Sequence, residues 1–461
     1  MSCASRSLRN SIGERRRGLA PPPHRSSSAR VPRLARALLA GVALCADGAG
    51  AATPPFAPRR ELPVVAHPAA LASADFDRDG RLDLAVAAPA GDAIWVYLSR
   101  ADGDVTPVAP LDGGRGPAAL LAADLTDDGR PDLIVGASIG DRITLLRGRG
   151  DGSFDAARQI ATLLAPAGLA SGDLDRDGRV DLVAVSRYDD TALPLLATAD
   201  GSFRAGTALA LPGGPAGVAA GDLDRDGRLD LVVTVNVADS AAFVLRGQGD
   251  GGFAAPQRLA VGTVPGAPLL RDLTGDGLLD LAVTAASDDA IVLLRGRGDG
   301  AFDAPLPLPT APFPAALAAG DLDRDGAVDL VSADCFADAL SLHRGLGGGA
   351  FAAAVALPAG TMPAAIAIAD IDRNRTADLI SLDALGASAS VLLNHRDPGP
   401  ACLGDCNDSR AVEIDELIRS VNIALGRGSV AECLSADPDA NADISISELV
   451  GAVGHALDGC G

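Results

Sequence analysis

One acidic phrase recurs seven times along this chain at almost constant spacing. Its first copy reads Asp75-Phe76-Asp77-Arg78-Asp79-Gly80-Arg81-Leu82-Asp83, and the leading aspartates fall at 75, 124, 173, 222, 272, 321 and 370. The period is 49 residues, with a single step of 50. A repeat of this length cannot bury its apolar face alone, so the chain must fold as a solenoid, a propeller or a repeat array. Function is then expected in loops that recur with the repeat.

One period decides among these architectures. Residues 167–172 are apolar and lead into the phrase at Asp173–Asp181, which runs at once into Leu182-Val183-Ala184-Val185. A polar break at Tyr188-Asp189-Asp190, an apolar stretch over 192–197, Asp200-Gly201-Ser202-Phe203 and a looser strand complete it. Four short strands bounded by turn residues make one propeller blade. No useful helical period appears between 53 and 397, so the expected fold class is all-β. A phenylalanine stands 19 residues before the first loop aspartate in six repeats (Phe56, Phe154, Phe203, Phe253, Phe302, Phe351), with Val105 in the remaining slot. Phe56 precedes the first full repeat, so residues 54–65 are expected to form an outer strand without a blade. The seventh blade meets Asp397-Pro398-Gly399-Pro400 before any outer strand of its own. The N-terminal strand is expected to complete it, closing a seven-bladed ring and removing the sheet edges.

The phrases, with Phe56-Ala57-Pro58 and Phe302-Asp303-Ala304-Pro305, resemble the FG-GAP/VCBS repeat family of integrin α-type propellers over roughly 54–397. The resemblance implies calcium loops between the first and second strands of each blade on one face, and partners on the other.

Calcium takes six to eight oxygens, and carboxylates at alternate positions of a tight loop supply them. Positions 1, 3, 5 and 9 offer side chains, position 7 a carbonyl, and the glycine at 6 allows the turn. Four loops are complete: Asp75, Asp77, Asp79, Arg81, Asp83; Asp173, Asp175, Asp177, Arg179, Asp181; Asp222, Asp224, Asp226, Arg228, Asp230; and Asp321, Asp323, Asp325, Ala327, Asp329. The second loop (Asp124, Thr126, Asp128, Arg130, Asp132) and the fifth (Asp272, Thr274, Asp276, Leu278, Asp280) have threonine at position 3, and weaker binding is expected there. The seventh keeps Asp370, Asp372, Asn374 and Asp378, but Arg375 replaces the glycine, and this loop is expected not to fill.

After the Pro-Gly-Pro linker the pattern turns helical. Asp405, Asn407, Ser409, Ala411, Glu413 and Glu416 fit a twelve-residue EF-type loop, repeated 32 residues on by Asp437, Asp439, Asn441, Asp443, Ser445 and Glu448. Each runs into a helical pattern, so a small α-helical domain is expected over 398–461. The two units look like a dockerin-type module, which implies a cohesin-like receptor; a calcium-stabilised cap without that partner is the alternative. Arg410 and Ala442 replace the position-6 glycine in these loops. Cys402, Cys406, Cys433 and Cys460 suggest two disulfides with three possible pairings; Cys402–Cys460 with Cys406–Cys433 is the pairing expected. Cys335 is left over and is expected to lie buried as a small apolar residue.

Residues 1–51 read as an export signal: an arginine-rich start, a short apolar stretch over 37–46 and small residues Ala49-Gly50-Ala51. A secreted or cell-surface protein is expected, with no membrane span in the mature chain. The net charge of −21 hides a stronger bias, because the leader carries nine arginines against Glu14 and Asp47. A surface this acidic repels nucleic acid and anionic membranes.

Catalysis is not expected. Between 53 and 394 there is one glutamate, Glu61, no lysine, and only His67 and His343. His343 is expected to pack in a strand, and Cys335 has no basic neighbour to activate it. Trp95 and Tyr97 are read as facing opposite sides of their strand. The expected binding surface is formed by the turns between second and third strands (89–92, 138–141, 187–190, 236–239, 287–289, 335–338), read as variable in length and content, for a protein or glycan ligand. The function expected is a non-catalytic binding or adhesion module. The alternative is a polysaccharide-degradation component recruited through the tail.

Overall fold

The computed structural model describes residues 56–394, apart from 66, 101–103 and 238. The leader, the 398–461 module with its loops, and the four tail cysteines lie outside the described residues. Seven antiparallel sheets follow one another along the chain. Blade 1 runs Ala70–Ala74, Asp83–Ala88, Ala93–Ser99 and Val105–Pro107, and blade 3 runs Pro166–Gly172, Asp181–Ser186, Thr191–Ala197 and Phe203–Ala205. Blade 7 takes Pro363–Ala369, Asp378–Asp383 and Ser388–Leu392 from the C-terminal side and its outer strand, Arg60–Pro63, from the N-terminal side. Arg60 pairs with Val391, Glu61 with Ser390 and Leu62 with Ala389. The expected closure and blade number are both borne out. A 3-10 turn at Pro89–Gly91 is the only helical element among the described residues.

Each strand's composition follows from its depth in the blade. The first strands of blades 2, 3, 4, 6 and 7 open on proline (Pro117, Pro166, Pro215, Pro314, Pro363), and the register slips just after it. The innermost strand is an edge, so the missing N–H costs no ladder bond. Near the axis these strands crowd: a Cβ on Gly217 would lie 2.7 Å from the Ala267 Cα, which only glycine avoids. Every second strand is buried at all six positions, because neighbours cover both its edges and both its faces. Hence the sequence there is a continuous apolar run and does not alternate.

The core lies between blades. Phe76, Ala85, Ile94 and Val96 of blade 1 pack on Leu133, Val135, Leu146 and Phe154 of blade 2, and the Phe76 and Phe154 rings meet edge to face at 5.4 Å. The recurring phenylalanines start the outer strands; Phe154, Phe253, Phe302 and Phe351 each bridge to a glycine at the end of the third strand. Trp95 and Tyr97 correct an expectation: both face the seam with blade 7, in one cluster with Leu62, Ile380 and Val391. Two residues apart on a strand means the same side. Cys335 is fully buried as expected, yet it is disulfide-bonded, not left over. His343 is buried in its strand, its Nδ1 3.1 Å from the Ala352 carbonyl oxygen, and burial lowers its pKa.

Candidate cation-binding loops and the opposite face

Each acidic loop joins the first to the second strand of its blade, as the repeat pattern implied. The position-1 carboxylate folds the turn. Asp75 accepts from the N–H groups of Asp79 and Gly80 at 3.1 and 2.8 Å, and Asp173 accepts from Asp177 and Gly178 at 3.1 and 3.0 Å. The position-7 N–H donates back to position 5, as from Arg81 to Asp79 (2.8 Å), Leu278 to Asp276 (2.8 Å) and Ala327 to Asp325 (2.9 Å). The glycine at position 6 has φ 83° in the first loop and 84° in the third. Arg375 in the seventh adopts φ 67°, so that loop keeps the left-handed turn without its glycine.

Position 9 does more than a ligand reading requires. Asp83, Asp132, Asp181, Asp230, Asp280 and Asp329 are buried to within 1 %. In each, one oxygen accepts the N–H of loop position 2 and the other an N–H at the end of the third strand. For Asp83 these are Phe76 at 2.9 Å and Ser99 at 2.8 Å; for Asp181, Leu174 at 2.9 Å and Ala197 at 2.6 Å; for Asp329, Leu322 at 2.9 Å and Gly345 at 2.8 Å. The aspartate therefore pins three segments of its blade. Its signal in the sequence was its place at the head of a fully buried strand.

Carboxylates converge in five loops. Ligand atoms of Asp75, Asp77 and Asp83, of Asp173, Asp175 and Asp181, and of Asp370, Asp372 and Asp378 lie within 4.8 Å of one another. So do those of Asp222, Asp224 and Asp226 and of Asp321, Asp323 and Asp325. Oxygens on opposite sides of a calcium ion, each about 2.4 Å away, would be about 4.8 Å apart. In blades 2 and 5, with Thr126 and Thr274, no such trio forms among the described residues. Asp175 Oδ1, Asp370 Oδ1 and Thr126 Oγ1 are buried without a hydrogen-bond partner, as acceptors awaiting a cation would be. The position-5 aspartates Asp79, Asp177 and Asp226 turn to the position-7 arginines Arg81, Arg179 and Arg228.

The carboxylates are electrostatically uncomfortable. Burial pushes Asp83 and Asp329 up to about 6, against the N–H donors that pull them down. Burial also raises Asp77, Asp132, Asp175, Asp181, Asp230, Asp280 and Asp370. At Asp272 burial acts upward, but four N–H donors led by Gly277 outweigh it and the pKa falls. A divalent ion would reverse the penalty on the charged forms.

The opposite face departs from its expected description. The turns there are four residues long in six blades and five in blade 4, so they vary in length by a single residue. Most of their aspartates are also committed. Asp92, Asp141, Asp190, Asp289 and Asp338, all at positive φ, accept the N–H of Gly116, Ala165, Gly214, Phe313 and Met362 in the approach to the next blade, at 2.7–3.0 Å. One register of these turns, two residues past the second strand, is mostly apolar: Ala90, Ile139, Tyr188, Val237, Ser287, Phe336 and Leu385. The five large ones are 44–75 % exposed and make up most of the large exposed apolar side chains among the described residues. Phe336 stacks at 4.6 Å on Phe313 from the preceding loop. Sequence reasoning missed this ring, although its 49-residue period was readable.

A model of the FG-GAP-like repeat matches residues 75–135, 124–184, 173–233 and 272–332, which take in the acidic loops of blades 1 to 6. No curated protein matches the sequence. Among solved structures, the chain is similar to BBS1N in complex with ARL6DN, soaked with lead (12 % identity, 74 % of this chain, 97 % of that chain, TM-score 0.53). The same complex soaked with mercury gives 13 % identity, 74 % and 97 % coverage, and a TM-score of 0.53. A lectin of Agrocybe aegerita, described as recognising non-reducing terminal N-acetylglucosamine, gives 17 % identity, 64 % and 81 % coverage, and a TM-score of 0.47. At these identities the likeness is one of fold. Among the described residues, no helix is long and apolar enough to cross a membrane.

Proposed function

We propose that this chain, a seven-bladed propeller carrying FG-GAP-like repeats, is an exported, non-catalytic binding module. Its acidic loops hold calcium on one face, and its second-to-third strand turns bind a protein partner on the other. The observation that carries the binding assignment is the ring of Ile139, Tyr188, Val237, Phe336 and Leu385, exposed at one register on one face. Exposed apolar groups scattered singly need no explanation, but a rim-like set on a rigid scaffold is a contact surface. The calcium assignment rests on the converging carboxylates and on buried oxygens without partners. Calcium held there would supply only charge balance and cross-linking of the hairpin, a structural role outside any reaction. Export rests on the leader, and a cohesin-like receptor or a plain cap remains the reading for the tail.

The glycan reading has one observation in its favour: Tyr188 and Phe336 present rings to solvent, and sugars stack on such rings. The other large members of the ring are aliphatic, which favours protein. A photo-crosslinking residue at position 188, in cells that export the protein, is expected to capture a protein partner. The same probe at exposed Thr162, on an outer strand, is expected to capture none. Equal capture from both positions, or none from 188 alongside a glycan-array signal abolished by Tyr188→Ser, would overturn the protein assignment.

A further inference from the structure

The seven loops differ at a position outside the acidic phrase. At the end of the third strand, fifteen residues after loop position 9 (sixteen in blade 4), stand Leu98, Arg147, Leu196, Arg246, Arg295, Arg344 and Leu393. We propose that the arginine at this position is a built-in counter-ion that replaces the divalent cation in blades 4 and 6, whose loops stay empty while the leucine-flanked loops of blades 1, 3 and 7 fill. This rests on the calcium reading above; relative to the order that the acidic phrase alone suggests, it keeps loops 1 and 3, demotes loops 4 and 6 and promotes loop 7.

In blade 4, Arg246 Nη1 lies 2.5 Å from Asp224 Oδ2 and 3.5 Å from Asp230 Oδ2, between loop positions 3 and 9. Its Nη2 donates to the Asp299 carbonyl of blade 5 at 2.5 Å, which holds the guanidinium in place. In blade 6, Arg344 pairs with Asp323, whose side chain is 1 % exposed, and stands 4.0 Å from Asp325. A guanidinium stays charged at any working pH, so a divalent ion in the same ligand set would meet a fixed like charge. Blades 2 and 5 reach balance differently. Threonine at position 3 removes one carboxylate, and Arg147 and Arg295 are fixed by bonds to the Gly201 and Gly349 carbonyls at 3.2 and 3.1 Å.

The leucine-flanked loops have an apolar side chain at this position. Leu98 and Leu196 fill the seam against Gly152 and Gly251 of the next blade, where an added Cβ would fall within 2.7 Å of them. In blades 1, 3 and 7 the converging trio is positions 1, 3 and 9, whereas in blades 4 and 6 it is positions 1, 3 and 5. Buried carboxylate oxygens without a hydrogen bond occur in blades 3 and 7, at Asp175 Oδ1 and Asp370 Oδ1, and in blade 6 at Asp323, where Arg344 supplies the pairing charge. The position-7 arginine pairs with position 5 in blades 1, 3 and 4 alike, so it does not separate the classes.

The test is the number of ions bound by the full chain after equilibrium dialysis, read by elemental analysis as a difference from wild type. Arg246→Leu and Arg344→Leu are each expected to gain one calcium, and Leu98→Arg to lose one. Circular dichroism checks folding, and because the three changes lie in different blades, the loss of one variant leaves the others to decide. Unchanged counts in both arginine variants, or in Leu98→Arg, overturn the proposal. Wild-type protein that binds no calcium at all overturns the calcium reading on which it rests.

Discussion

Deletion of residues 56–63 is expected to turn a monomer into an aggregating chain that melts on the order of 10 °C lower. The segment pairs with Ser388–Leu392 over four residues and buries Leu62. On either side of that ladder, Ala57 N–H reaches the Leu393 carbonyl at 2.8 Å and Val64 N–H reaches Ala387 at 3.1 Å. Burying a leucine is worth about 2 kcal/mol and each backbone bond about 1 kcal/mol net, so the loss is roughly 5 kcal/mol. At about 1.5 °C per kcal/mol for a domain of this size, that gives about 7 °C, a shift of the stated order. Arg59 adds to it. Its Nη1 donates to Ser390 at 2.9 Å, and Ser390 and Ser388 both donate to the fully buried Asp383. Without the strand, an open sheet edge is left to pair with other molecules. Light scattering coupled to size exclusion, with a thermal melt, reads both effects. A monomeric deletion variant with an unshifted melt would mean that the ring closes in another way.

The second large effect is expected from Asp181→Ala, measured without calcium. Both carboxylate oxygens accept buried backbone N–H groups, at 2.9 and 2.6 Å. Each donor left unsatisfied costs about 1–3 kcal/mol, so the variant should lose roughly 3–5 kcal/mol and melt about 4–8 °C lower. Asp177→Ala at position 5 is the control, because its carboxylate is partly exposed and pairs only with Arg179 and local N–H groups. A pair of that kind is worth about 1 kcal/mol or less. Equal losses in the two variants under chelation would show that position 9 has no role apart from the metal.

The architecture was legible because the repeat is nearly perfect. Seven phrases fix the blade number, and Phe56 lying one slot ahead of the first phrase fixes the closure. What stayed hidden depends on contacts between blades. Asp92 and its equivalents look like turn residues in sequence, and only the 24-residue reach to Gly116 in the next blade shows that they join neighbours. Arg246 lies outside the acidic phrase, so a reading of the phrase alone ranked loop 4 as complete. The expectation that loop 7 stays empty rests on Arg375 in place of glycine, yet that residue takes φ 67°, which costs about 1–3 kcal/mol. The apolar ring was missed for a different reason: its members differ in type, and only their common register and exposure unite them.

The central claim is that the acidic loops are staples closed by calcium. It is tested most directly by melting the full chain in millimolar calcium and again after chelation, with bound metal measured in each sample. A site held at a hundredfold excess over its dissociation constant adds about 2.7 kcal/mol, so three filled loops add about 8 kcal/mol. At about 1.5 °C per kcal/mol for a domain of this size, the account predicts that chelation lowers the melting temperature by roughly 10–15 °C. Magnesium is expected to restore little of this, because it demands a tighter octahedral site. Coincident melts, with no calcium recovered from the untreated protein, would contradict the account.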